Sequence, residues 1–236
     1  MLQQHGATPD DAPVASRPVA AAQPPASAAV AASAPAAVAA APAPAASMPA
    51  TLLRDEREAW RELARGWNVD AGEAGDPCAV LARQSVQCFT RPTPLALVRQ
   101  LDRPGVITLD RDRGTPSYAL LTAVGDKTAT LVAAGTTQTV TLAALAERWS
   151  GDWGTLWRVP PGYATRGRDG AEVVRWADEQ LDAAGMGQGG GATLRTRLRN
   201  FQLAQGLPAD GVLGPMTVMQ LNRTAHVDEP RLRPLP

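Results

Sequence analysis

Between Leu198 and Thr217 the sequence is punctuated so tightly that few chain paths remain open to it. Leu194, Leu198 and Phe201 recur at i, i+4 and i+7, which marks a short helix with one apolar stripe. Gly206 supplies the left-handed residue at which such a helix stops. Asp210-Gly211 reads as a tight turn, because Asp bonds the backbone ahead of it and Gly takes a positive φ. Val212 and Leu213 return apolar side chains to the interior. Gly214-Pro215 then opens another helix, where a proline at the first position sacrifices no hydrogen bond. Val218, Met219 and Leu221 line it, and Thr217 sits in its first turn, beside backbone N–H groups free to meet a polar ligand. Upstream, Val173, Val174, Ala177 and Leu181 make one more stripe, closed by Gly185, with a loop from Gly187 to Gly191. The expectation is three short helices. Leu198, Phe201, Val212 and Leu221 form their core. Gln202, Asp210 and Thr217 are the candidate polar contacts, and Gly211 and Gly214 shape the turns beside them.

Upstream of this unit the texture differs. Residues 12 to 50 are almost all Ala, Pro, Val and Ser, with Arg17 the sole charge. Prolines interrupt any helix there, and no apolar face repeats. The segment reads as part of a disordered linker over 1–50, and residues 12 to 50 alone reach at most ~120 Å at ~3.1 Å per residue. Order is expected from Thr51, with Leu53, Trp60, Leu63, Ala64 and Trp67 on one helical face. Asp76-Pro77 reads as an N-cap followed by a first-turn proline. Strands follow at 106–109, 118–124, 128–134 and 139–142, then a short helix to Trp149 and a last strand from Trp153 to Val159. The short connections imply antiparallel pairing. Cys78 and Cys88 are expected to pair. On one continuous helix their Cα atoms would lie ~15 Å apart at ~1.5 Å per residue. A disulfide tolerates about 7 Å at most, so the helix must end by about Gln84 and the chain fold back. Phe89-Thr90-Arg91-Pro92 is consistent with that early ending. The chain after Thr224, rich in Pro and Arg, reads as a flexible tail over 226–236.

Composition removes several function classes. Lys+Arg 23 balances Asp+Glu 23, which leaves no basic field to hold a nucleic acid. The two histidines are His5 and His226, near opposite ends, so zinc hydrolases and His-activated nucleophiles are hard to build. No apolar run is long enough to span a bilayer, and the first six residues lack the basic and apolar regions of a signal peptide. Of the six tryptophans, Trp153 is left as the candidate surface platform and the rest are expected mainly in the core.

The run from Phe201-Gln202 through Gly206-Leu207, Asp210-Gly211, Gly214-Pro215 and Thr217 to Leu221-Asn222 resembles the peptidoglycan-binding family of three-helix modules, over about 167 to 224. The Gly-rich loop at 187–191 stands where that family has a first Asp-Gly turn. The resemblance implies a wall-binding site at Gln202, Asp210, Gly211, Gly214 and Thr217. Residues 51 to 161 resemble the papain-like C39 peptidase fold. They look closest to the periplasmic region of the A-component of type II secretion systems, which Trp149-Ser150-Gly151-Asp152-Trp153, Leu156-Trp157-Arg158 and Pro160 also resemble. In that component an ATPase and a membrane helix precede the linker, this domain and the wall module.

In the C39 pattern Cys78 would be the nucleophile, but the base position holds Ser117 or Tyr118 and the orienting Asp falls near Ala133 or Ala134. The expected fold is therefore α+β. A C39-like, catalytically inactive domain at 51–163 precedes a peptidoglycan-binding domain at 167–225. The expected function is non-catalytic wall binding in the periplasm, with a membrane-bound B-component as partner and the secretin as an indirect one. No cofactor and no metal are expected. The alternative is a cell-wall hydrolase or cysteine peptidase carrying a wall module, with Glu73, Asp76 and Glu147 as unspecific candidate carboxylates for a glycosidase.

Overall fold

The computed structural model describes residues 48–49, 51–163, 167–187 and 191–235. The expected linker at 1–50 therefore lies almost wholly outside the described residues. Helix α1 (Glu56–Gly66) starts where Asp55 accepts a hydrogen bond from the Arg57 N–H at 2.9 Å. It buries Ala59, Trp60, Leu63 and Ala64, and Trp67 follows at its end. Helix α2 (Pro77–Ala82) begins as its sequence signals: Asp76 accepts from the Cys78 N–H at 3.0 Å and Pro77 occupies the first turn. It stops short of Gln84, and Ser85, with φ of 57°, turns the chain into strand β1 (Val86–Pro92). That reversal brings the Cα atoms of Cys78 and Cys88 to 5.7 Å, and the disulfide is formed.

Two elements were not anticipated. One is β1 itself; the other is helix α3 (Leu95–Leu101), which starts after Pro94 without a side-chain cap. The remaining strands are β2 (Gly105–Leu109), β3 (Ser117–Val124), β4 (Thr128–Ala133) and β5 (Thr136–Thr141). Helix α4 (Leu142–Ala146) and strand β6 (Asp152–Arg158) complete the first part. Together they form a six-stranded, wholly antiparallel sheet in the order β1-β6-β2-β3-β4-β5. Ala134 and Gly135 both have positive φ, as a two-residue hairpin between β4 and β5 requires.

The insertion of β6 between β1 and β2 decides which side chains face what. Successive residues of a strand point to opposite faces. Gly154 lies toward α1, where a Cβ would sit 2.7 Å from the Trp60 ring, so only glycine admits that helix so close. Cys88 and Thr90, paired with Leu156 and Gly154, share this face with the disulfide and α2. Phe89 and Arg91 therefore point to the opposite face, as do Trp153 and Trp157. Phe89 packs edge-on to Trp153 with ring centroids 6.5 Å apart. Trp153 is 1% exposed, which corrects its reading as a surface platform: its face of the sheet is covered, with Phe89 against the ring and the side-chain-free Gly105 letting it lie down on β2.

Three helices follow: α5 (Ala171–Ala183), α6 (Leu194–Ala204) and α7 (Pro215–Thr224). The buried Arg197 ties α6 to α5 by bonds to Asp178 at 2.7 Å, Asp182 at 2.5 Å and the Met186 carbonyl at 2.8 Å. These helices pack on the sheet, and one apolar cluster runs through both. The Gln220 amide and the Arg223 guanidinium each donate to the Gln100 carbonyl at 2.9 Å, and Asn222 donates to the Arg158 carbonyl at 2.9 Å.

The chain does not leave the surface after α7, so the expected flexible tail over 226–236 is corrected through residue 233. Glu229 is buried and forms an ion pair with Arg103, and both side chains are 0% exposed. Arg233 donates its N–H to the Thr122 carbonyl at 2.9 Å, in a bridge beside β3. The tail is held by charge neutralisation, to which an apolar periodicity is blind.

Removing one partner of a buried ion pair strands the other charge. Glu229→Ala is expected to lower stability by about 3–5 kcal/mol, read from the shift in denaturant midpoint. Reducing the Cys78–Cys88 bond is expected to cost roughly 2–3 kcal/mol, seen as a lower melting temperature in thiol reductant and in Cys88→Ser.

Candidate functional site

The end of α6 and the start of α7 are joined through one buried amide. Gln202 is 1% exposed. Its Nε2 lies 2.8 Å from Asp210 Oδ1, 3.0 Å from the Val212 carbonyl and 3.0 Å from Thr217 Oγ1. Its Oε1 accepts the Gly211 N–H at 2.8 Å. Asp210 Oδ1 also accepts the Val212 N–H at 2.8 Å, the expected Asp-Gly turn. Gly211 has φ of 71°, and a Cβ there would meet Arg195 Cγ at 2.7 Å, so glycine is required twice over. Gly206, with φ of 61°, ends α6, and the Leu207 N–H closes the cap on the Gln202 carbonyl at 2.8 Å.

Gln202, Asp210, Gly211 and Thr217 thus come together in one network, with Gly214 at the mouth of α7. Gln202 and Thr217 are buried, and their polar atoms are engaged within the turn; they set its shape from inside. Asp210 is exposed. The Val212 N–H holds its carboxyl below the usual range, partial burial opposes this, and the Gln202 amide and the nearby Arg168 add to the lowering.

The network forms one wall of a cleft of about 370 Å³. Leu207, Pro208, Val212, Gly214, Pro215 and Met216 line the side of the helical module, and Arg168 stands at its edge. The opposite wall is Phe89 and Arg91 of β1. Sequence reasoning missed all three of Phe89, Arg91 and Arg168. No local motif marks them, since they reach the cleft only after β1 pairs with β6 and the module docks on that face.

The positions implied by the C39 resemblance are also defined. Cys78 is at the start of α2, as a nucleophile would be, but its sulfur is bonded to Cys88. Ser117 opens β3 and is fully buried. Ala133 ends β4 in the core, and Ala134 lies in the hairpin turn. Among the three carboxylates considered for a glycosidase, Asp76 caps α2, and Glu73 and Glu147 are exposed.

Comparison with known proteins agrees with this layout. Residues 171–221, from α5 into α7, match the family described as "Putative peptidoglycan binding domain". General secretion pathway protein A of Aeromonas hydrophila is 30% identical over 181 residues, which are 74% of this chain and 33% of that protein. The chain thus spans about a third of the length of that relative. A periplasmic domain of the EpsAB fusion protein of the Vibrio vulnificus type II secretion system superposes with a TM-score of 0.51 at 22% identity, covering 75% of this chain and 82% of that one. The chain is therefore similar to general secretion pathway protein A in sequence, matches the putative peptidoglycan-binding family in its last three helices, and shares the α+β fold of that periplasmic domain.

Proposed function

We propose that this chain is a non-catalytic, periplasmic wall-binding protein that helps a type II secretion complex assemble across peptidoglycan. The observation that carries the reading is the family match at 171–221, which includes the turn that Gln202 holds together beside an open cleft. Residues 167–225 act as the wall-binding part and residues 51–163 as a C39-like support. Asp210, Gly211 and Gly214 contribute the surface of the turn, and Gln202 and Thr217 its rigidity. A membrane-bound B-component is the proposed partner, with the secretin served indirectly.

The non-catalytic part of the proposal draws on chemistry. A thiol nucleophile needs a free sulfur and a proton acceptor. Here the Cys78 sulfur is in a disulfide, and by the C39 resemblance the position of the histidine is taken by Ser117 or Tyr118.

The full chain is expected to co-sediment with purified sacculi and to leave no clearing on a sacculus zymogram. Failure to sediment would remove the wall-binding reading, and clearing would remove the non-catalytic one. Gln202→Ala is expected to cost about 1–3 kcal/mol in denaturant unfolding, because it leaves the Gly211 N–H without its partner and removes the amide donor shared by Asp210, Val212 and Thr217. The turn also carries a pH signature. A carboxyl with a lowered folded pKa stabilises fully above its unfolded value and loses that contribution as pH falls through the folded one. Wild type is therefore expected to lose stability, as pH falls below the ordinary aspartate value of about 4, by an increment that Asp210→Asn lacks, measured as the difference between their melting curves.

A further inference from the structure

We propose that the cleft beside the Asp210–Gly211 turn is a composite carboxylate site, in which Arg91 of the sheet and Arg168 of the helical module clasp a free carboxylate of the peptidoglycan stem peptide. The inference deepens the wall-binding reading and rests on it.

The charges of the cleft point this way. Elsewhere in the fold, three arginines that meet the interior are paired: Arg103 with Glu229, Arg148 with Asp110, and Arg197 with Asp178 and Asp182. The exposed guanidiniums of Arg91 and Arg168 make no hydrogen bond or ion pair with any described residue, yet both line the same cavity. Asp210 is the only carboxylate lining that cavity among the described residues. It is already engaged by the Val212 N–H and the Gln202 amide, and Arg168 reaches it through its field rather than a bond. Two cations facing one engaged anion leave the cleft positive.

Guanidinium groups match planar carboxylates with two parallel hydrogen bonds. In peptidoglycan the free carboxylates belong to the stem peptides and the glycan strand supplies hydroxyls and amides. Phe89, Leu207, Val212 and Met216 give the cleft an apolar floor suited to the methyl and methylene groups of those peptides. The site is complete only when the sheet and the module are docked, since Arg91 and Phe89 come from β1 and Arg168 from the segment before α5. The sheet domain is thereby a direct contributor to recognition.

The test uses the full chain, with sacculi and with a soluble stem tetrapeptide in free-acid and fully amidated forms. Wild type is expected to bind sacculi and to prefer the free-acid peptide. Arg91→Ala and Arg168→Ala are each expected to weaken free-acid binding about tenfold or more, and Arg91→Lys to restore it only in part. Arg83→Ala, at the exposed end of α2 on the opposite face of the sheet, serves as the control and is expected to bind as wild type. If wild type ignores sacculi, the wall-binding reading fails with everything built on it. If wild type binds sacculi but amidation makes no difference, the carboxylate site is wrong. If only Arg168→Ala weakens binding, the composite site is wrong and the module acts alone.

Discussion

The buried pair of Arg103 and Glu229 is the contact on which the arrangement of the rest depends. Two full charges removed from water are tolerated when further hydrogen bonds add to their mutual attraction. Arg103 also donates to the Met219 carbonyl at 3.1 Å and the Leu156 carbonyl at 3.4 Å, and its guanidinium lies 5.8 Å from the Trp67 ring centre. Glu229 accepts from the Arg158 N–H at 2.8 Å and from Asn222 at 3.1 Å. Those partners come from the end of α1, from β6 and from α7. Mutual attraction alone does not favour a buried pair over an apolar one, so its value here lies in geometry: it admits a single docking of the helical module on the sheet.

That docking turns two ordinary surfaces into a cleft. The turn at Asp210–Gly211 is rigid by itself, since the Gln202 amide satisfies both sides of it. A rigid turn on a small three-helix unit offers a shallow face, and shallow polar sites bind weakly because each ordered group costs entropy. Setting Phe89 and Arg91 opposite adds a second wall without adding motion. The sheet thereby supplies depth, and the module supplies a preformed edge.

How much of this was legible in the sequence follows from which interactions are local. Asp76-Pro77, Gly206, Asp210-Gly211 and Gly214-Pro215 all behave as their residue types dictate, because caps and turns are fixed within four residues of chain. The strands β2 to β6 were visible from alternation and short connections. Strand β1 was not: its seven residues include Arg91 and Pro92, and its place comes from pairing with β6, from Val86 with Arg158 to Pro92 with Asp152, far downstream in the chain. Glu229 was invisible for the same reason, since its partner precedes it by 126 residues. The site divides likewise. Gln202, Asp210, Gly211, Gly214 and Thr217 stand in one readable run, but their roles split by burial, which no sequence spacing reports. Arg91 and Arg168 carry no motif at all.

Strand β1 carries two opposed obligations, and their coincidence bears on where the site can work. Cys88 faces α2 and holds the strand to the first helices, while its neighbours Phe89 and Arg91 face the module and line the cleft. An edge strand is bonded to the sheet on one side only, so its position depends on whatever else anchors it. Here the anchor is a covalent bond that persists in oxidising compartments and is lost in reducing ones. The same bond removes the Cys78 thiol from chemistry. One oxidation thus exchanges a reactive sulfur for a fixed strand, and on the proposed reading the cleft is at its most ordered on the side of the membrane where peptidoglycan lies.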